Sequence, residues 1–133
     1  MNIKTIKYNK DITRVIINDP KTYNSLSTQN LRDLIKIFKI LNKDQKVKVI
    51  ILEGAGRGFC SGHNLKEVRS LKKRVKYQKL FNLCSKLMMQ IVEGRKPVIA
   101  KVHGAAFAAG CQLVASCDLA YSTKDALFAT PGV

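Results

Sequence analysis

Acidic side chains are scarce in this 133-residue chain: nine Asp and Glu stand against 24 Lys and Arg, a formal charge of +15. A surplus that large favours anionic partners by long-range attraction, whether nucleic acid, acidic lipid or the phosphates of a small molecule, and selects among none of them. Nucleic acid lacks support, because no helix-turn-helix, zinc-ligand or aromatic RNA-binding signature accompanies the charge. The four cysteines, Cys60, Cys84, Cys111 and Cys117, form neither a C-x-x-C pair nor a zinc spacing. Reduced, mostly buried thiols and no metal site are expected. No apolar run is long enough to cross a bilayer, and Lys4, Lys7 and Lys10 interrupt an N-terminus where strand-like residues begin at once. Neither a membrane span nor a secretory leader is expected, and the chain reads as soluble and cytoplasmic, with the mitochondrial matrix as the alternative. Linkers, low-complexity segments and clear internal repeats are missing too. The length allows one domain with one modest core.

What is present is an alternation of strands and helices. Ile3–Tyr8 and Ile12–Asn18 are rich in β-branched residues and flank Asn9-Lys10-Asp11, which predicts an antiparallel hairpin. The polar turn formers Asp19–Asn24 end the second strand. Ser27 or Thr28 can cap a helix in which Leu31, Leu34, Ile35, Phe38 and Leu41 recur at helical spacing, ending near Asn42. Val47–Leu52 reads as a strand covered on both faces. A single long helix is expected from about Leu65 to Glu93, with Leu80, Leu83, Leu87 and Ile91 on its core stripe and Gly94 as its stop. Pro97–Val102 is the next strand, Ala108–Ser116 the next helix, and Asp118–Ser122 a short strand before Leu127-Phe128. This order defines an α/β fold. Lys66–Lys79 carries seven cations against Glu67, a pattern of a solvated helix face or of a phosphate-binding patch.

Two strand-to-helix turns carry the chemistry. Lys101–Leu113, KVHGAAFAAGCQL, is nearly bare of side chains before an alanine-rich helix. Unpaired backbone N–H groups at a helix N-terminus face a developing negative charge there, so the stretch can work as an oxyanion-stabilising device. Glu53–Lys66, EGAGRGFCSGHNLK, is a second glycine-punctuated turn, and the two could converge on one reacting atom. Two rival motifs fall short. Gly54-x-Gly56 after a strand lacks the third glycine, which is Phe59, and lacks the later acidic residue of a dinucleotide fingerprint. Gly58-Phe59-Cys60-Ser61-Gly62 matches a cysteine nucleophile elbow for which His103 and Asp118 can be nominated as partners, yet their order is that of no α/β-hydrolase. Cys60 is expected to be a buried structural thiol.

GFCSGHNLKEV and HGAAFAAGCQLVASCDLA, followed by FATPGV, resemble the paired signatures of the enoyl-CoA hydratase/isomerase (crotonase) superfamily, and the resemblance spans the whole chain. It implies a crotonase-like spiral of ββα units, of which residues 1–133 correspond to the N-terminal half, with the C-terminal part absent. It further implies an acyl-CoA thioester substrate, with coenzyme A entering as part of that substrate and no separate cofactor, and a trimeric assembly in the family. The backbone amides of His63 and Ala109 then take the place of the two oxyanion donors. The family's two proton-transferring glutamates fall on Gln112, which can orient water but not shuttle a proton, and on Gly132, which has no side chain. The family's Asp in the first signature is Asn64. Coenzyme A would lie along Tyr23, Ser25, Ser61, Asn64 and Leu65, with Lys66 toward a phosphate. The implied reaction is hydration or isomerisation of a 2-enoyl-CoA, and a non-catalytic acyl-CoA binder or inert fragment is the alternative.

Overall fold

A computed structural model of the chain describes residues 1–131. Strands β1 (Ile3–Lys7) and β2 (Ile12–Ile17) pair antiparallel, Ile3 opposite Ile17. Asn9 closes the hairpin: its Oδ1 accepts from the N–H groups of Asp11 and Ile12 at 2.8 and 2.9 Å. Helix α1 (Thr28–Lys43) follows, capped by Ser27, whose Oγ accepts from the Asn30 N–H at 3.1 Å. Its Leu31, Leu34, Phe38 and Leu41 are buried, as their spacing predicts.

Strand β3 (Val49–Gly54) is next, then helices α2 (Leu65–Leu71) and α3 (Arg74–Glu93). Beyond them lie β4 (Val98–Val102), β5 (Ala105–Phe107), α4 (Ala109–Ser116), β6 (Leu119–Ser122) and β7 (Leu127–Ala129). One sheet runs in the order β1-β2-β3-β4-β6, parallel from β2 onward, and β5 pairs with β7 in a second, two-stranded sheet. Helices α1 and α3 pack on each other and bury Leu34, Phe38, Leu87 and Ile91 in one cluster with Val15, Ile50, Leu52 and Ala100 of the large sheet.

Three expectations are corrected. The helix from Leu65 to Glu93 is two helices. Lys72 takes left-handed backbone angles (φ 56°) and Lys73 begins the second helix with no side-chain cap. Continuing α2 would stack Arg69 over Lys73 and Lys72 over Lys76, like-charged pairs one turn apart. Strand β3 is fully covered on one face alone: Ile50 and Leu52 are completely buried, while Val49 and Ile51 on the other face are half-buried. That second face carries an Arg14–Glu53 pair across β2 and β3, made by Nε to Oε2 at 3.0 Å and by a second guanidinium nitrogen to Oε1 at 2.6 Å. Finally, the stretch after β4, expected as a strand-to-helix turn, contains the short strand β5, which pairs with β7.

Candidate active site

Sequence places glycine-rich chain after β3 and after β4; parallel pairing of those two strands brings both turns to the same end of the sheet. They are then stitched together. The N–H groups of Phe59 and Cys60 donate to the Ala105 carbonyl at 3.0 and 3.1 Å, and Phe107 N–H donates to the Cys60 carbonyl at 3.0 Å. No side chain fits at Gly104: a Cβ there would stand 2.2 Å from the Arg57 carbonyl oxygen.

A third segment locks the first turn from below. Asn24, fully buried and in left-handed conformation (φ 57°), donates through Nδ2 to the carbonyls of Ala55 and Gly58 at 2.7 and 2.9 Å, and accepts the Asp19 N–H on Oδ1 at 2.8 Å. Ser61 N–H donates to the Tyr23 carbonyl at 3.0 Å and Leu26 N–H to the Gly62 carbonyl at 2.7 Å. Because a trans peptide points its C=O and N–H in opposite directions, the His63 N–H faces away from Leu26.

The consequence is a close approach of the two turns. Gly62 has φ +93°, and a Cβ built on it would lie 3.0 Å from the Phe107 carbonyl oxygen, 3.2 Å from the Ala108 Cβ and 3.3 Å from the Ala109 nitrogen. Covalent geometry then holds the His63 and Ala109 nitrogens within about 7 Å of each other. Among the described residues neither N–H has an acceptor, whereas the neighbouring Ala108 N–H is taken by the Ala129 carbonyl at 2.8 Å. Ala108, which precedes α4, sits at φ 52°, ψ −120°, a conformation costly for an L-residue. This strained joint turns the first amides of α4 out of strand β5.

Gln112 is exposed one turn into α4, on the helix that begins with Ala109. Gly132 lies outside the described residues. Ser25, Ser61, His63, Asn64, Leu65 and Lys66 line one cleft of about 300 Å³, together with Lys21 and Thr22. Tyr23 lies apart from these residues, in an adjoining apolar cleft of about 310 Å³ with Arg57 and Phe107, and Ser61 belongs to both. Some of the predicted residues have firm local duties. Asn64 caps α2, its Oδ1 accepting the Glu67 N–H at 3.2 Å. Buried Ser25 bonds Thr22 Oγ1 through its own hydroxyl at 2.9 Å.

Sequence reasoning missed Thr22, whose carbonyl also accepts the Ser61 hydroxyl at 3.0 Å, as well as Lys21, Asn24 and Ala108. A signal existed for Asn24, since asparagine tolerates left-handed angles and bonds nearby backbone. Nothing in the sequence marks Ala108.

Burial holds the His63 imidazole below its ordinary pKa, its Nδ1 lacks a partner among the described residues, and its ring meets Phe81 edge-on with centroids 5.2 Å apart. It is a neutral wall of the cleft at neutral pH. The nucleophile-elbow alternative fails on geometry: Cys60 is 1% exposed with its thiol pushed up to about 12 by burial, His103 bonds the Gly56 carbonyl through Nε2 at 2.7 Å, and Asp118 is occupied by the Val98 N–H. Among the described residues no three His, Cys, Asp or Glu side chains are grouped to hold a metal ion, and no helix is long and apolar enough to cross a membrane.

The mixed α/β fold, with its sheet parallel from β2 onward, is that of crotonase-fold proteins. The chain belongs to the enoyl-CoA hydratase/isomerase family, whose sequence pattern matches residues 7–133. It is 44% identical over 122 residues to the enoyl-CoA hydratase domain-containing protein 3, mitochondrial, of Xenopus laevis, covering 92% of this chain and 42% of that protein. Among solved structures it is similar to an enoyl-CoA hydratase of Mycobacterium smegmatis (TM-score 0.96, 42% identity, 99% of this chain and 51% of that one). It is also similar to human enoyl-CoA hydratase domain-containing protein 3 (TM-score 0.94, 39% identity, 99% and 52%). The chain thus spans about half the length of the relatives it matches.

Proposed function

We propose that this chain binds an acyl-CoA thioester and polarises its carbonyl with the backbone amides of His63 and Ala109, supplying the enolate-stabilising part of an enoyl-CoA hydratase or isomerase site. The observation that carries the reading is Gly62 packed against the Ala109 nitrogen, with both flanking N–H groups unclaimed among the described residues. Two such donors aimed at one thioester oxygen stabilise negative charge as it develops, and loss of one typically costs about 3–4 kcal/mol of barrier lowering. The cleft lined by Ser25, Ser61, Asn64, Leu65 and Lys66 suits the pantetheine and nucleotide portion, with Lys21 and Lys66 as its cations and Tyr23 on the neighbouring apolar wall.

Proton transfer is the weak half. Gln112 orients water without exchanging a proton at neutral pH. The mitochondrial designation of the Xenopus relative favours the matrix over the cytoplasm as the working compartment. Turnover of short and medium 2-enoyl-CoAs, with and without Gln112→Glu, tests the reading. Measurable hydration by the unaltered chain, rising about 10²–10³-fold in Gln112→Glu, is the expected result. Tight acyl-CoA binding with no turnover in either form makes the chain a binder instead, and absence of binding overturns the proposal.

A further inference from the structure

A further cleft, of about 380 Å³, lies between the start of α1, the end of α2 and the first turns of α3, and shares no lining residue with the two clefts described above. Its cations are Arg32, Lys76 and Lys79; its apolar lining is Leu71, Leu80 and Leu83. It lies beside the break at Lys72, with Leu71 from the last turn of α2 and Lys76, Lys79, Leu80 and Leu83 from α3 among its lining residues. Leu80 is 3% exposed and Leu71 and Leu83 are half-buried, so the apolar surface is recessed, while all three cations are exposed. Thr28 also borders the notch and engages the Glu67 carboxylate, whose Oε1 accepts its N–H at 2.9 Å and its hydroxyl at 3.0 Å. No acidic side chain lines the cleft itself.

We infer that this notch binds a single-chain anionic amphiphile, a medium-length alkyl carboxylate, with the alkyl chain against the three leucines and the carboxylate among Arg32, Lys76 and Lys79. Apolar walls with a few convergent charged groups are the usual make-up of a small-ligand site, and the volume falls at the small end of that range. A recessed floor suits an inserted chain; a membrane surface requires apolar groups that project.

Titration calorimetry of the whole chain with decanoate provides the test, with decyltrimethylammonium and decanol as charge controls. Decanoate is expected to bind, the cationic and neutral amphiphiles at least tenfold more weakly, and raising NaCl from about 0.05 to about 0.5 M is expected to weaken decanoate severalfold. The doubly exposed variant Lys76→Glu/Lys79→Glu, which touches no core residue, should lose binding about tenfold or more; Leu83→Trp, which fills the floor, should do the same without changing charge. Equal binding of the cationic amphiphile, or undiminished decanoate binding in Lys76→Glu/Lys79→Glu, overturns the inference. So does displacement of decanoate by coenzyme A, which would put it in the other cleft. Association with phosphatidylserine vesicles without decanoate binding also overturns it, in favour of a lipid surface. None of these outcomes bears on the amides of His63 and Ala109.

Discussion

Replacing Gly62 by alanine separates the two consequences of one φ angle. At φ +93° an L-residue is strained by about 1–2 kcal/mol, and the new Cβ meets the Phe107 carbonyl at 3.0 Å and the Ala109 nitrogen at 3.3 Å. Relief requires Phe107–Ala109 to give by a few tenths of an ångström. The total loss of stability should be about 2–3 kcal/mol, which a domain of ordinary stability survives. Gly56→Ala is the matched control: φ is +80°, the strain is equal, and the new Cβ meets the Pro20 ring at 3.0 Å, away from Ala109. Urea denaturation should therefore show both variants destabilised. Ultraviolet absorption of a bound β-ketoacyl-CoA reads the oxyanion site directly, because its enolate absorbs where the keto form does not. If the His63 and Ala109 amides hold that oxygen, Gly62→Ala should raise the apparent enolisation pKa of the bound ligand by about two units, the loss of about 3 kcal/mol of donor stabilisation. Gly56→Ala should leave it unchanged. Equal shifts in both variants, or none in either, would refute the reasoning.

Further outcomes follow from the same geometry. Asn24→Leu removes two donors to buried loop carbonyls and places a branched residue at φ 57°, so stability should fall by about 3–4 kcal/mol in urea titrations, with acyl-CoA affinity falling in parallel. The Arg14 hydrogen bonds hold the Glu53 carboxyl below its ordinary 4.5; the folded state keeps the carboxylate while the unfolded chain takes up a proton, so stability is lost as pH falls below about 4.5, and Glu53→Gln should flatten that decline. His63 shows the same sign at higher pH. Its depressed pKa means the unfolded chain binds the proton first, so the chain should lose stability on going from pH 7.5 to 5.5, and His63→Phe should remove that part of the slope.

Local chemistry was the legible part. The hairpin followed from β-branched runs around Asn9, the Ser27 cap from its position before an apolar period, and the two turns from glycines after apolar strands. What stayed hidden depends on partners distant in sequence. Asn24 reads as an ordinary turn former until its carbonyl partners at Ala55 and Gly58 are in view. Lys72 breaks a helix with neither glycine nor proline to announce it, taking left-handed backbone angles itself. Strand β5 is only three residues long and exists because Cys60 and β7 lie on either side of it. Ala108 accepts a strained angle because the pairing of Phe107 with Cys60 and of its own N–H with Ala129 fixes the chain on both sides.

The site divides into a part written in the main chain and a part written in side chains, and the two are vulnerable to different changes. The amides of His63 and Ala109 depend on where three turns cross, so almost any side chain at position 63 is acceptable and a half-buried neutral histidine does no harm. What they cannot tolerate is a Cβ at Gly62 or Gly104, since each of those positions is in van der Waals contact with the opposite turn. Proton transfer, on the proposed function, works the other way: it needs a titratable group one turn along α4 and is indifferent to backbone strain. On the proposed reading a glutamine at position 112 supplies no acid–base group while α4, its first amides and the cleft stay undisturbed, because Gln112 is exposed and its backbone N–H bonds the Ala108 carbonyl at 3.1 Å. The proposed function therefore predicts that binding and turnover are separable, and that placing a carboxylate at that single exposed position raises kcat far more than it changes KM.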